Sequence, residues 1–133
     1  MDGFVSHWTS VVQRPGDPSY PFAKKMVDYP KVVFTKTLAS SGWDNTVLAK
    51  GDLAEEINAL KNQPGKDIIV YGGATFDSSL IRAGLIDEYH LFINPVAIGK
   101  GMPIFEDLAS KQKLTLKHAI GFDCGIVVLK YEL

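Results

Sequence analysis

Two adjacent glycines at the end of an apolar run carry the strongest chemical signal in this sequence. Residues 68–71 (Ile, Ile, Val, Tyr) read as a strand. Gly72 and Gly73 follow at once, and Phe76, Leu80 and Ile81 then recur with helical spacing. Glycine at such a junction lets the main chain approach a ligand closely. The N-terminus of the next helix presents unpaired N–H groups and a partial positive charge. A phosphate or pyrophosphate fits that place; a tight turn with no ligand fits it too. The pattern is not the three-glycine dinucleotide fingerprint, and no Gly-Lys-Ser/Thr follows to make a P-loop. A second candidate is Lys36, flanked by Thr35 and Thr37 at the end of a predicted parallel strand. Ligands of α/β sheets gather at such carboxyl ends. A lysine between two hydroxyls can hold a phosphate monoester, such as the 2′-phosphate of NADP, or sit in a solvated loop.

The other reactive side chains read as structural. Asp87 and Glu88 are adjacent carboxylates with acid–base potential, but such pairs commonly close a helix or solvate a turn. His7, His90 and His118 fall in three separate elements with no metal-ligand spacing, so no metal site is expected. His118, on an otherwise apolar strand face, is expected in the core or an interface. Cys124 has no histidine signature around it and reads as a turn thiol. No serine occupies a nucleophile elbow. Trp8 and Trp43 are expected as core or interface aromatics.

The elements that must position these groups follow from periodicity and breakers. Phe4, Val5, Trp8, Val11 and Val12 form one helical stripe, stopped by the Pro15 and Pro18 region. Residues 22–27 predict a short second helix, closed before Pro30. Residues 31–35 and 46–49 predict strands. Asp52, with Glu55 three residues on, predicts a capping box opening a helix that carries Leu53, Ile57 and Leu60. The run 68–71 is apolar on both faces and predicts a buried strand. Gly84 predicts a helix C-cap. Residues 88–96 predict a strand, ended by Pro95 and the Gly99-Lys100-Gly101 turn. Leu114, Leu116, His118, Ile120 and Phe122 alternate with Lys113, Thr115 and Lys117, predicting one buried and one wet face. A turn at Asp123-Cys124-Gly125 then returns the chain as a terminal antiparallel hairpin. The class is α/β with an antiparallel tail, over one domain spanning 1–133.

Composition narrows the function. Lysine plus arginine is 14 and aspartate plus glutamate 15, a net charge of -1, which argues against a general nucleic-acid binder. No apolar run is long enough to span a membrane, and the first ten residues lack a secretory leader. A single cysteine rules out an intrachain disulfide framework and points to a reducing, cytoplasmic compartment.

Taken in order, several blocks resemble the dihydrofolate reductase-like superfamily. They are Lys31-Val-Val-Phe-Thr-Lys-Thr-Leu38, Thr46-Val-Leu-Ala-Lys-Gly-Asp-Leu53, Gly65-Lys-Asp-Ile-Ile-Val-Tyr-Gly-Gly-Ala74, Leu80-Ile-Arg-Ala-Gly-Leu-Ile-Asp-Glu-Tyr89 and Asn94-Pro-Val-Ala-Ile-Gly-Lys-Gly-Met-Pro-Ile-Phe105. The nearest branch is the reductase (C-terminal) domain of the bacterial riboflavin-biosynthesis deaminase–reductase and its small stand-alone relatives. The resemblance covers nearly the whole chain, and its blocks are specific as a set. It implies a mixed sheet flanked by helices, NADPH as cofactor, often a homodimer, and a small heterocyclic substrate of pterin, pyrimidine or ribosylamine type. By the same resemblance, Gly72, Gly73, Ala74 and Thr75 match the segment at the cofactor's pyrophosphate and nicotinamide side. Thr35, Lys36 and Thr37 match the loop near the adenosine 2′-phosphate. Pro95, Gly99 and Gly101 match the substrate-side wall. The alternative is a non-catalytic, dimeric nucleotide-binding or interaction protein of the same fold.

Family members begin with a central strand, a substrate-bordering helix and a second strand ending in a phosphate loop. Met1-Asp2-Gly3-Phe4 aligns just after that loop, so the family's first strands have no counterpart here. In dihydrofolate reductases the proton-donating carboxylate also lies in that part, so no catalytic residue is assigned. A sheet without its central strand leaves backbone groups unpaired, at about 1–3 kcal/mol for each one buried. Net stability is only about 5–15 kcal/mol. Three outcomes are expected: a fragment of a longer product, a gap filled by another segment, or a rearranged sheet.

Overall fold

The computed structural model describes residues 2–133. Two compact units divide the chain, residues 1–56 and 57–133.

In the first unit, the apolar stripe of the N-terminal segment becomes helix α1 (Asp2–Val12), and the second helix is α2 (Tyr20–Asp28). Val11 and Ala23 are buried between elements of this unit. Around them the rings of Phe4, Trp8, Phe22 and Trp43 meet edge-to-face, with centroids 5.1–6.0 Å apart. This arrangement suits the quadrupole of aromatic rings. Lys31 Nζ lies 4.6 Å from the Trp43 ring centroid and donates to the carbonyls of Val27 and Tyr29, which ties the end of α2 to the next strand. Tyr29 is extended (ψ 147°), as a residue before proline must be. Strands β1 (Lys31–Phe34) and β2 (Thr46–Ala49) pair in parallel, Lys31 opposite Thr46 and Phe34 opposite Ala49.

Helix α3 (Leu53–Lys61) opens as the sequence predicts, with a refinement. Asp52 Oδ1 accepts from the N–H groups of Ala54 and Glu55, at 2.9 and 3.1 Å. The reciprocal partner is Glu56 rather than Glu55: its Oε1 accepts from Gly51 N–H at 3.2 Å. Of the predicted stripe, Ile57 is buried.

The second unit holds α4 (Ala74–Arg82) and the strands β3 (Glu88–Ile93), β4 (Thr115–Gly121) and β5 (Val127–Glu132). The strands form an antiparallel sheet in the order β3-β5-β4. Leu80 and Ile81 of α4, Leu85 and Tyr89 are buried in this unit, as is Ile57 of α3. Gly84 adopts φ 66° after α4, and the N–H groups of Gly84 and Leu85 return to the carbonyls of Ile81 and Leu80. That pair of bonds is a Schellman cap, which needs the left-handed residue glycine supplies. Gln112 Nε2 donates to Ile81 O, and Tyr89 Oη donates to Gln112 Oε1, so one amide bridges α4 and β3. Gly125 (φ 87°) forms the turn of the terminal hairpin, as expected.

Two expectations are corrected. Residues 68–71 join no ladder, and Ile68, Ile69 and Val70 are 53%, 77% and 36% exposed. Among the described residues no strand forms a ladder with the run, so neither strand pairing nor burial follows from its apolar pattern. In β4 a register shift falls between Leu116 and His118, and every residue of the strand is exposed, on both faces. His118, opposite Lys130, therefore does not lie in a core: no layer among the described residues covers either face of β4. The chain is mixed α/β, with a two-stranded parallel sheet and a separate antiparallel one. None of its described helices is long and apolar enough to cross a membrane.

Candidate functional site

The glycine pair does two different jobs. A Cβ on Gly72 would stand 2.6 Å from Phe76 Cδ1, 3.0 Å from Asp77 Oδ1 and 3.2 Å from Phe76 Cβ. Gly72 is thus glycine because the first turn of α4 folds down onto its α-carbon. Gly73 is the N-cap of α4, with φ -76° and ψ 164°, and nothing lies within 4 Å of where its Cβ would be. No internal contact demands glycine there, and the backbone angles suit any L-residue. Its carbonyl accepts from Phe76 and Asp77 N–H at 2.9 and 3.1 Å. The N–H groups of Ala74 and Thr75, one turn too early for a helical acceptor, have no partner among the described residues, and no side chain caps the helix. Thr75 is exposed, and its carbonyl accepts from Ser79 Oγ at 2.9 Å. An open glycine, free N–H groups and a helix N-terminus together suit an anion.

Asp77 is the residue sequence reasoning missed. Its Oδ1 is shielded from solvent and has no hydrogen-bond partner among the described residues. Burial raises its carboxyl above the ordinary value. An aspartate in a first helical turn usually signals dipole compensation, so its sequence position alone hides the desolvation.

In the first unit, Thr35 Oγ1 accepts from the N–H groups of Thr37 and Leu38, a hydroxyl turn that sets the loop after β1. Lys36 Nζ donates to the carbonyls of Lys50 and Gly51, at 2.8 and 3.1 Å, across the corresponding end of β2. The side chain is exposed and its ammonium keeps a third proton for another acceptor. Lys36 is therefore a held, forward-facing cation at the carboxyl end of a parallel pair.

The predicted substrate-side residues sit on an exposed loop of the second unit. Gly99 has φ 71°, and Lys100 N–H turns back to Ile98 O at 2.8 Å. A Cβ on Gly101 would touch Ile98 Cδ1 at 3.5 Å, and one on Gly125 would meet Pro95 Cγ at 3.1 Å, so Pro95 packs on the hairpin turn. Ser78 Oγ, on the buried side of α4, reaches Pro103 O at 3.5 Å. Val96, Ile98 and Met102 are exposed apolar side chains of this loop. The structure gathers Gly72 to Thr75 at one helix start, and Thr35 to Thr37 at one strand end.

The remaining carboxylates are structural. Asp87 pairs with Lys61 at 2.6 Å, and Glu88 pairs with Lys130 at 2.7 Å and with His90. The hydrogen bond from Lys130, then that from His90, holds the Glu88 carboxyl below its ordinary value. Among the described residues no group of His, Cys, Asp and Glu could hold a metal ion.

Comparison with known proteins identifies the family and the fold. The uncharacterized Bacillus subtilis (strain 168) protein YyaP is 39% identical over 103 residues, 77% of this chain and 54% of YyaP. YwjB of the same organism, also uncharacterized, is 36% identical over 58 residues, 44% of this chain and 33% of its own. The chain thus spans about half, or less, of the length of these curated relatives. A solved Shewanella sp. PV-4 structure, provisionally named for riboflavin biosynthesis, superposes with TM-score 0.69 at 22% identity, over 96% of this chain and 69% of that one. A pyrimidine reductase-like protein from Corynebacterium diphtheriae gives TM-score 0.55 at 20% identity, over 87% and 53%. These structures share the fold, the dihydrofolate reductase-like one expected from the sequence. The family model described as the RibD C-terminal domain matches residues 7–128, and the chain belongs to that family.

Proposed function

We propose that this chain is a riboflavin-pathway type reductase domain that binds NADPH and acts on a small heterocyclic substrate of pyrimidine or ribosylamine kind. The observation that carries the reading is Gly73, a glycine that nothing inside the protein requires, at the open N-cap of a helix. NADPH, when bound, supplies a hydride. The chain's own residues do the holding. The N–H groups of Ala74 and Thr75 would donate to the diphosphate oxygens, and the bare α-carbon of Gly73 leaves room for them. Lys36, fixed by two carbonyls and keeping one free proton, would neutralise the 2′-phosphate, with the hydroxyls of Thr35 and Thr37 beside it. Pro95, Gly99 and Gly101 would border the substrate. Asp77 is the group that opposes an anion at α4, and its neutral form is the compatible one.

A homodimer and a cytoplasmic location belong to the same proposal; sedimentation velocity checks the first. One observation favours the alternative, a non-catalytic nucleotide-binding or interaction protein: residues 68–70, leading toward Gly72, are exposed and join neither sheet. A turn carried on an unsupported strand is poorly preorganised for chemistry. Fluorescence titration with NADPH and NADH, followed by NADPH oxidation in the presence of aminopyrimidine ribosylamines, separates the readings. Saturable NADPH binding weakened by Lys36→Ala supports nucleotide binding, and turnover supports the reductase. Absence of binding at millimolar NADPH would overturn the reductase reading and leave the interaction protein.

A further inference from the structure

Asp77 carries a cost that the fold alone does not explain. Its Oδ1 is shielded from solvent and meets no hydrogen-bond donor among the described residues. A shielded acceptor without a donor is destabilising, and a charged one most of all. Position is the cause. A Cβ on Gly72 would stand 3.0 Å from that oxygen, so the carboxyl folds back toward the main chain that enters α4. Its own N–H donates to Gly73 O at 3.1 Å. The carboxyl therefore shares one helical turn with the unpartnered N–H groups of Ala74 and Thr75. Two effects compete there. The helix N-terminus favours a negative charge, and burial disfavours it. Burial prevails, since the carboxyl titrates above its ordinary value, and no charged side chain is among the causes. Arg82, the other charged residue of α4, is engaged by Asp107 and by Ser79 Oγ. Elsewhere in this unit Lys61 pairs with Asp87, and Lys130 with Glu88.

An anion arriving at this turn upsets the balance. It takes up the N–H groups whose field favours the carboxylate, and it adds a like charge within the same turn. With no cation held against Asp77, protonation is what removes the repulsion. We propose that Asp77 couples nucleotide binding to proton uptake: a diphosphate received by the N–H groups of Ala74 and Thr75 is accepted together with one solvent proton, held on the Asp77 carboxyl. This inference rests on the nucleotide reading given above. The proton moves from solvent to the carboxylate, and no other bond forms or breaks. Asp77 is a positioning residue, acting on affinity through the field at the start of α4 rather than by touching the nucleotide. Affinity should fall by up to about tenfold per pH unit between the free and the nucleotide-bound titration of this one carboxyl.

The test follows the carbon-13 resonance of the Asp77 carboxyl in the unaltered chain, assigned through its own Cα correlations, from about pH 4 to pH 8. It is run without nucleotide and at saturating NADPH, with the backbone amides recorded on the same samples. Reading the carboxyl itself keeps the titration of the 2′-phosphate out of the result. The midpoint should rise by at least about one pH unit on saturation. NADPH dissociation constants over the same range should show an extra pH slope that Asp77→Asn removes. A midpoint that stays or falls while the amides of Gly73, Ala74 and Thr75 shift would overturn the coupling and leave the nucleotide seat standing. Equal pH slopes in the unaltered chain and in Asp77→Asn would do the same. NADPH that leaves those three amides unmoved, or does not bind, would overturn the seat and the coupling with it.

Discussion

Gly72→Ala and Gly73→Ser should move stability and nucleotide binding along different axes. At Gly72 the new Cβ meets Phe76 Cδ1 at 2.6 Å and Phe76 Cβ at 3.2 Å, so the ring and the first turn of α4 must shift. Overpacking of this kind costs about 1–3 kcal/mol. At about 4 °C per kcal/mol for a chain of this size, the melting temperature should fall by roughly 4–12 °C. At Gly73 the new side chain meets nothing, and φ -76° with ψ 164° is the geometry of a good serine N-cap. The gain over glycine is a few tenths of a kcal/mol, about 1 °C. If the diphosphate closes on the bare main chain of Gly73, the same serine should weaken NADPH at least about tenfold, or 1.4 kcal/mol. Thermal melts and fluorescence titrations on both variants supply the data. Unchanged NADPH affinity in Gly73→Ser, with loss only in Gly72→Ala and in proportion to its instability, would refute the reasoning and leave the glycine pair a purely structural turn.

Other substitutions probe the remaining groups. Lys36→Ala should weaken NADPH by about tenfold and leave NADH unchanged, since only NADPH offers the extra charge-assisted contact; equal effects on both nucleotides would remove Lys36 from the 2′-phosphate. Asp77→Asn should stabilise the chain at neutral pH and flatten its pH dependence. The folded carboxyl has its pKa raised by burial, so folding favours the protonated form below that value. That stability is lost as pH rises from 3.8, the unfolded value, through the raised one. Denaturant melts from pH 3 to pH 7 check the slope, and NADPH affinity should rise in the variant at pH 7. Glu88 has the opposite sign. Lys130 and His90 hold its pKa below 4.5, so its contribution is present above that value and fades as pH falls through the lowered one. Glu88→Gln should remove that acid-side dependence. Asp52→Ala removes the bonds to Ala54 and Glu55 N–H and should cost about 1 kcal/mol, read as a drop of about 4 °C.

Local chemistry was legible in the sequence where a residue's partners lie a few positions away. Asp52 caps α3 and Gly84 closes α4 because both acts are completed within one helical turn. The stripe from Phe4 to Val12 buried Val11 because a helix satisfies its own backbone and needs only a neighbour for one face. Residues 68–71 failed because a strand's hydrogen bonds belong to other segments, and an apolar pattern cannot supply the partner. His118 was misplaced in the core for a related reason: burial of a strand face depends on another layer covering it, and both faces of β4 are exposed, which an alternating string cannot announce. At the site, the glycine doublet and Lys36 could be found from motif and spacing. The division of labour between Gly72 and Gly73 could not, because it depends on where Phe76 and Asp77 fold back.

The central claim, that the start of α4 seats a nucleotide's diphosphate, is tested most directly by titrating NADPH into the isotope-labelled chain and following backbone amides. The account predicts that Gly73, Ala74 and Thr75 shift first and saturate together, with the loop at Lys36 responding to NADPH and not to NADH. Saturable binding that leaves those three amides unmoved would contradict it.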